Sequence, residues 1–261
     1  MKKILPILVI CLGLVTQLMA QEETETAKKE APAKKYARAT FNATKIINFQ
    51  STEIVTPGVL QFMISHHFSH IWSKDGGSQN IAQFFGLNSG VAHTYLSFDY
   101  SPMKWMNTGI ALAGGSKYEA FVKFKILRQQ TGAMNIPVSV SWYSMGNVNT
   151  AKDPDNGFTG NKFSFLHQLL IARKFSDKIS LQLSPTWIHF NVVPYGINNS
   201  NEVFSLGIAG KYKATSKLNI TVEYSRQLNM YENLISKNGA IVNYNPDLLS
   251  VGAEISTGTH L

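Results

Sequence analysis

The sequence predicts an all-β fold, an antiparallel up-and-down transmembrane β-barrel of about 10–12 strands. Three features predict it: strands long enough to cross a bilayer, connections short at one end and long at the other, and a composition low in charge. The clearest strands lie between Phe163 and Phe190. Phe163, Phe165, His167, Leu169, Ile171, Arg173 and Phe175 alternate with a mixed set that includes Ser164, Gln168 and Lys174. After Ser176-Asp177-Lys178, the residues Ile179, Leu181, Leu183, Pro185 and Trp187 alternate with Ser180, Gln182, Ser184 and Thr186. Period two marks a strand with two different faces. Both apolar sets are odd-numbered, so they share a side only across a loop with an odd number of residues. That predicts a three-residue turn at Ser176 to Lys178. A tilted transmembrane strand needs roughly 9–11 residues, and these strands reach that length. On this parity Leu183 faces lipid and Gln182 the interior, so Leu183→Arg is expected to cost more than Gln182→Arg.

The 261 residues are 44% hydrophobic, 11% aromatic and 15% charged, which suits a barrel with lipid outside and aromatic girdles at its rims. Met1 to Ala20 reads as a secretory signal: Lys2 and Lys3, an apolar run from Ile4 to Val15, and Ala20 before Gln21-Glu22-Glu23. Removing those two lysines takes the formal net charge from +8 to +6 (8 − 2). The single cysteine, Cys11, lies inside the signal, so the mature chain has neither a disulfide nor a thiol nucleophile. Residues 21–39 are rich in Glu, Lys, Ala and Thr with no periodic apolar face, and read as a disordered periplasmic leader. The barrel domain is expected over residues 40–261. Thr40 to Asn48 alternates only weakly, and either adds an edge strand or packs inside.

From Val59 the strands follow in order. Leu60, Phe62, Ile64, Phe68 and Trp72 share one parity, and Asp75-Gly76-Gly77-Ser78 opens a long loop. Thr94, Leu96, Phe98 and Tyr100 turn at Ser101-Pro102-Met103 into Met106, Thr108, Ile110 and Leu112. Gly114-Gly115-Ser116 makes a tight turn into Tyr118, Ala120, Val122, Phe124 and Ile126. Ile136, Val138, Val140 and Trp142 follow, then a polar loop from Asn147 to Asn161 before the Phe163 hairpin. Phe204, Leu206, Ile208 and Tyr212 turn at Ala214-Thr215-Ser216 into Leu218, Ile220, Val222 and Tyr224. After a long loop from Asn229 to Pro246, Leu249, Val251, Ala253 and Ile255 form the last face.

Ten strands thus fit between Val59 and Ser256. Connections near Pro102, Ala133, Asp177 and Thr215 are short to moderate and those after Trp72, Gly146, Phe190 and Leu228 are long, with Gly114-Gly115-Ser116 the exception, a short turn on the long-loop side. Outer-membrane barrels place short turns in the periplasm and long loops outside the cell. Trp72, Tyr100, Trp142, Trp187 and Tyr212 near strand ends fit aromatic girdles. Thr257-Gly258-Thr259 reads as a turn toward a closing strand that the sequence does not supply. A soluble secreted sandwich or ligand-binding barrel is the alternative that alternation alone leaves open.

The stretches Thr40 to Asn48, Phe62 to Phe68, Lys117 to Gln129 and above all His167-Gln168-Leu169-Leu170-Ile171-Ala172-Arg173-Lys174-Phe175-Ser176 are specific enough to compare. They resemble a family of Gram-negative β-barrel proteins of unknown function, mainly from the Bacteroidota. Ser256-Thr257-Gly258-Thr259-His260 is similar to that family's closing turn, with Thr259 where a second glycine is usual. The resemblance implies a signal peptide and a barrel, and supplies no activity or catalytic residue.

Candidate chemistry is sparse. His66, His67 and His70 invite a metal reading, but in a strand His66 and His70 share a face that His67 does not. His167 and His189 fall on the lipid side beside Trp187. No GxSxG elbow, phosphate loop or metal-spaced Cys/His cluster occurs, so the chain is expected to be no enzyme and to take no cofactor, metal or nucleic acid. A hydrolase at the extracellular rim is the rival reading. The expected partners are outer-membrane lipid and, during insertion, the barrel-assembly machinery, with any small solute unspecified. The lumen-lining candidates are His67, Glu119, Lys123, Lys125, Gln168, Gln182, Lys211, Glu223 and Glu254, all on polar parity. In a narrow barrel they should pair acid with base across the interior, because buried charge is costly without a partner.

Overall fold

The computed structural model describes residues 33–67, 93–114, 116–151, 162–192, 200–229, 234–235, 241–242 and 247–256. Residues 34–261 form one compact unit. Its strands are β1 (Lys35–Tyr36), β2 (Leu60–His67), β3 (His93–Met103), β4 (Met106–Ala113), β5 (Lys117–Leu127), β6 (Gln130–Thr131) and β7 (Ser139–Asn149). They continue with β8 (Phe163–Lys174), β9 (Ile179–Phe190), β10 (Glu202–Lys213), β11 (Leu218–Gln227), β12 (Leu234–Ile235), β13 (Ile241–Val242) and β14 (Leu248–Ile255). Ten of them make a single sheet in the order β14-β11-β10-β9-β8-β7-β5-β4-β3-β2, each antiparallel to its neighbour. This is the up-and-down arrangement the alternation predicts, with the ten strands placed between Val59 and Ser256.

Side-chain parity follows the sequence. On β9, Ser180, Gln182, Ser184 and Thr186 are buried, while Ile179, Leu181, Leu183 and Trp187 are exposed. The pattern holds over most of the sheet: Phe62, Ile64, Phe98, Ile110, Tyr118, Phe165, Ile208 and Val222 point out, Ser97, Asn107, Ser141, Thr221 and Glu223 point in, and Phe121, Tyr143 and Leu170 make an apolar patch inside. Apolar outside and polar inside is the inverse of a soluble domain and is what a bilayer demands.

The turns decide how that parity is kept. Arg173 pairs with Leu181 and Lys174 with Ser180, leaving Ser176 to Lys178 as the predicted three-residue loop. The β10–β11 turn has the same build one residue later than expected, with Lys213 paired to Asn219. Between β3 and β4 the expected turn at Ser101 to Met103 is displaced. Pairing continues to Met103 opposite Met106, through a register shift after Tyr100, and the chain reverses at Lys104 and Trp105. A bulge accommodates Pro102, which cannot donate to the ladder.

Two further boundaries move. The strand expected from Ile136 begins at Ser139, and Ile136 instead bridges Gln130. That strand runs on to Asn149 because Asn147 and Asn149 pair with Glu119 and Lys117 of β5. Within the long connection from Asn229 to Pro246, β12 and β13 form a small hairpin. Trp72 and residues 257–261 lie outside the described residues.

Curvature follows from one comparison. β3 and β14 stand eight positions apart in the sheet order, roughly 38 Å if strands about 4.8 Å apart lay flat. Yet Lys45 lies against Tyr95 of β3, and Asn48 donates to Ser250 of β14. Two residues so close in sequence reach both strands only if the sheet curls around them. Among the described residues the edges β2 and β14 are not paired with each other.

Candidate functional site

Residues 40–55, between the leader and β2, occupy the inward face. Ile46 N donates to Phe49 O, Ser51 N donates to Thr44 O, and Lys45 bridges Gln50, so the chain reverses tightly at residues 46–49. Of the two roles the sequence leaves open for Thr40 to Asn48, packing inside is the one observed. Phe41 and Ile46 are buried with Ala172 of β8 and Ala209 of β10, and Ile47 and Phe49 pack beside them. The wall is small where the segment is large. A Cβ on Gly207 would stand 2.5 Å from the Phe49 ring, and one on Gly252 3.1 Å from Ile47.

Two buried charges on the wall grip the segment by its backbone. Lys123 of β5 is fully buried, and its Nζ donates to the carbonyls of Thr44 (3.1 Å), Ser51 (3.0 Å) and Glu53 (3.0 Å). Glu223 of β11, also buried, does the reverse. Its Oε1 accepts from the amides of Ile47 (2.7 Å) and Phe49 (3.0 Å), and its Oε2 from the amide of Asn48 (2.8 Å). Three successive N–H groups around one carboxylate make an anion-binding nest. Hydrogen bonds to charged groups contribute about 1.5–3 kcal/mol each, enough to offset burying the charge only when several converge.

The other candidates fill in around these grips. Gln182 Nε2 donates to Gln50 O at 2.7 Å, and Gln168 Nε2 to Thr186 Oγ1 at 2.7 Å. Lys211 Nζ donates to Ala39 O and Asn42 Oδ1, and Lys125 pairs with Glu53 at 3.5 Å. Asn147 Nδ2 donates to Glu119 Oε1, while Glu254 sits half-buried on β14. The acid-to-base pairing expected across the interior is therefore largely replaced. Glu223 meets amides and Lys123 meets carbonyls, because a backbone inside the barrel brings unsatisfied polar groups of both kinds. The side chain of His67 and all of His70 lie outside the described residues, and His66 is exposed. Among the described residues no group of three His, Cys, Asp or Glu is placed to hold a metal ion.

Sequence reasoning passes over three inward residues. Tyr95 and Asp99 have the parity of the interior but stand between the apolar residues that define β3. Lys45 belongs to the weakly alternating segment. Lys45 Nζ lies 3.5 Å from the centroid of the Tyr95 ring. Burial holds its ammonium below the usual lysine range, with the fields of Glu119 and Asp99 acting in the opposite direction.

The chain enters this interior at the end of the short turns. In the stretch expected to be a free leader, β1 pairs with β6 in the β5–β7 connection, the Arg128 guanidinium covers Tyr36, and Lys174 Nζ donates to Arg38 O.

The outward face carries a ladder of rings toward the long loops. Trp142, His167, Trp187 and His189 follow one another, with His167 stacked 5.1 Å from Trp187. Glu202 accepts from Trp187 Nε1 and lies 2.7 Å from His189 Nδ1, and Ser144 Oγ is 3.0 Å from His167 Nδ1. Both histidines thus share the outward parity of Trp187.

Nothing matches the chain among curated proteins or among solved structures. One family model, described as membrane bound beta barrel domain (DUF5777), matches residues 41–261. Its first matched residue is Phe41, so the match takes in all but the first residue of the inner segment together with all ten strands of the sheet. A polar interior, an apolar exterior and this match over most of the chain agree: the protein belongs to the membrane-bound β-barrel family.

Proposed function

We propose that the chain is an outer-membrane β-barrel of a Gram-negative, Bacteroidota-type bacterium, exported by residues 1–20 and non-catalytic. Its way through is closed by residues 40–55. The observation that carries this is the pair of grips: Lys123 and Glu223 each spend a buried charge on the backbone of that segment. A barrel that served as an open pore would gain nothing from them. The role is a structural barrel or a narrow solute conduit, with outer-membrane lipid around it and the barrel-assembly machinery as its partner during insertion.

The test joins location to conductance. The full chain should fractionate with the outer membrane, migrate differently in boiled and unboiled gels, and conduct weakly in planar bilayers. Folded protein in the periplasm without detergent, or a large and weakly selective conductance, overturns the reading. The rival hydrolase reading rests on the Ser144–His167 contact, yet His167 stands between two tryptophans and Glu202 is engaged by Trp187 and His189. A serine hydrolase needs a group that orients its histidine. Labelling of Ser144 by a fluorophosphonate would revive that reading.

A further inference from the structure

At Lys123 and Glu223 the wall brings the charge and the inner segment brings backbone, which no small solute imitates. At Tyr95 the roles are reversed. The segment brings a primary ammonium on an alkyl chain, and the wall brings the face of a phenol ring at 3.5 Å. An ammonium within about 6 Å of an aromatic centroid is held by the ring's quadrupole, and more strongly away from water. Tyr95 is buried on the inward face of β3, and Glu119 of β5 shares that face, in line with Ser97 through Ala111 of β4. Asp99, further along the same face, is 2% exposed, and its Oδ1 makes no hydrogen bond among the described residues. Both carboxylates act on the Lys45 ammonium. An aromatic face backed by anionic oxygen is the chemistry that recognises an amine.

We propose that Tyr95 and Glu119, with Asp99 behind them, form a binding site for a small alkylammonium group, which Lys45 of the inner segment fills in this state. A free alkylamine competes with Lys45 for the ring and leaves the two backbone grips in place. It therefore loosens one corner of the segment without unfolding the barrel. The inference rests on residues 40–55 being the closing segment.

Chemical rescue tests it. The probe is n-propylammonium chloride, which replaces most of the side chain lost in Lys45→Ala, with 1-propanol and sodium chloride as controls. In the detergent-solubilised full chain, Lys45→Ala should lower the thermal midpoint, and propylammonium should restore it saturably where the controls do not. Adding Tyr95→Leu should weaken that response about tenfold, and adding Glu119→Gln should weaken it further than the controls vary. Absent saturation, or equal restoration in the Tyr95→Leu double variant, overturns the site. Should Lys45→Ala fail to fold, the wild-type chain decides. Propylammonium should then raise its opening frequency in bilayers, and an identical response in Tyr95→Leu, or none in wild type, overturns the proposal. A failure of the closing-segment reading looks different: conductance is already large before any amine is added.

Discussion

The two faces of β9 are made from one alternating run and obey different rules. Outside, Ile179, Leu181, Leu183 and Trp187 meet neighbours on β8 and β10 and the bilayer, where any oily residue of similar size serves. Inside, Gln182 is bound to the carbonyl of Gln50, and Ser184 takes a second hydrogen bond from the same amide. Outward positions need a class of residue, while an inward position such as Gln182 needs a particular residue because it answers a particular atom of the inner segment. That difference also corrects the expectation for Gln182→Arg. Gln182 does not face an open lumen, so an arginine there collides with the segment and is not the mild change its parity suggests.

The sharpest way to break the comparison is to remove the inward charges. Glu223→Gln removes the charge and, while its remaining oxygen can still accept from Ile47 and Phe49, sets an N–H₂ against the amide of Asn48, and should cost about 3–5 kcal/mol. Lys123→Met strands three carbonyls and should cost a similar amount. Equilibrium unfolding in detergent or lipid measures both, and the double variant should also conduct more strongly as the segment is released. Losses under about 1 kcal/mol in both would mean that the grips do not hold the segment.

The outward counterpart is Leu183. Leu183→Arg, on the lipid face near mid-strand, should cost about 2–4 kcal/mol, whereas Leu183→Met should cost under about 1.5 kcal/mol. Together they state the outward rule, intolerant of charge and indifferent to shape. If the methionine variant were as damaging as the arginine one, the outer face would be as specific as the inner.

Between these lies a test of fit. Gly207→Val drives a side chain into the Phe49 ring and should cost about 1–3 kcal/mol by overpacking. Phe49→Ala should relieve it, so the pair should couple in a double-mutant cycle. Additive losses would place Phe49 elsewhere.

The same contrast explains what the sequence disclosed. The strands, their faces and the three-residue turn are legible because the alternation is local and the parity of Ile171 and Leu183 constrains the loop between them. The inward direction of Lys123, Gln182 and Glu223 is legible for the same reason. Their partners are not. Residues 40–55 have at most a weak alternation, so nothing registers Ile47 or Asn48 against Glu223 some 175 residues away. Tyr95 and Asp99 carried the interior parity, but they are recognisable as a site only once Lys45 stands over the ring. The displaced β3–β4 turn has another cause. Proline usually marks a reversal, and here a bulge absorbs it.

The smallest expected effect lies at the two turns that keep both faces in phase. Ser176 Oγ accepts from the amides of Lys178 and Ile179, and Thr215 Oγ1 accepts from those of Lys217 and Leu218. In each loop a hydroxyl at the first position satisfies two N–H groups that the ladder leaves over, a local bond characteristic of Ser and Thr. Ser176→Ala and Thr215→Val should each cost about 0.5–1.5 kcal/mol, since the amides are exposed enough for water to replace part of the bond. The two losses should add, because the turns share no partner. A one-residue deletion in either loop is a different perturbation. It makes the loop even, turns the following strand inside out, and should prevent folding altogether. If a chain lacking Asp177 still assembled with the boiled-to-unboiled gel shift of wild type, loop parity would not be what keeps Leu183 outside and Gln182 inside.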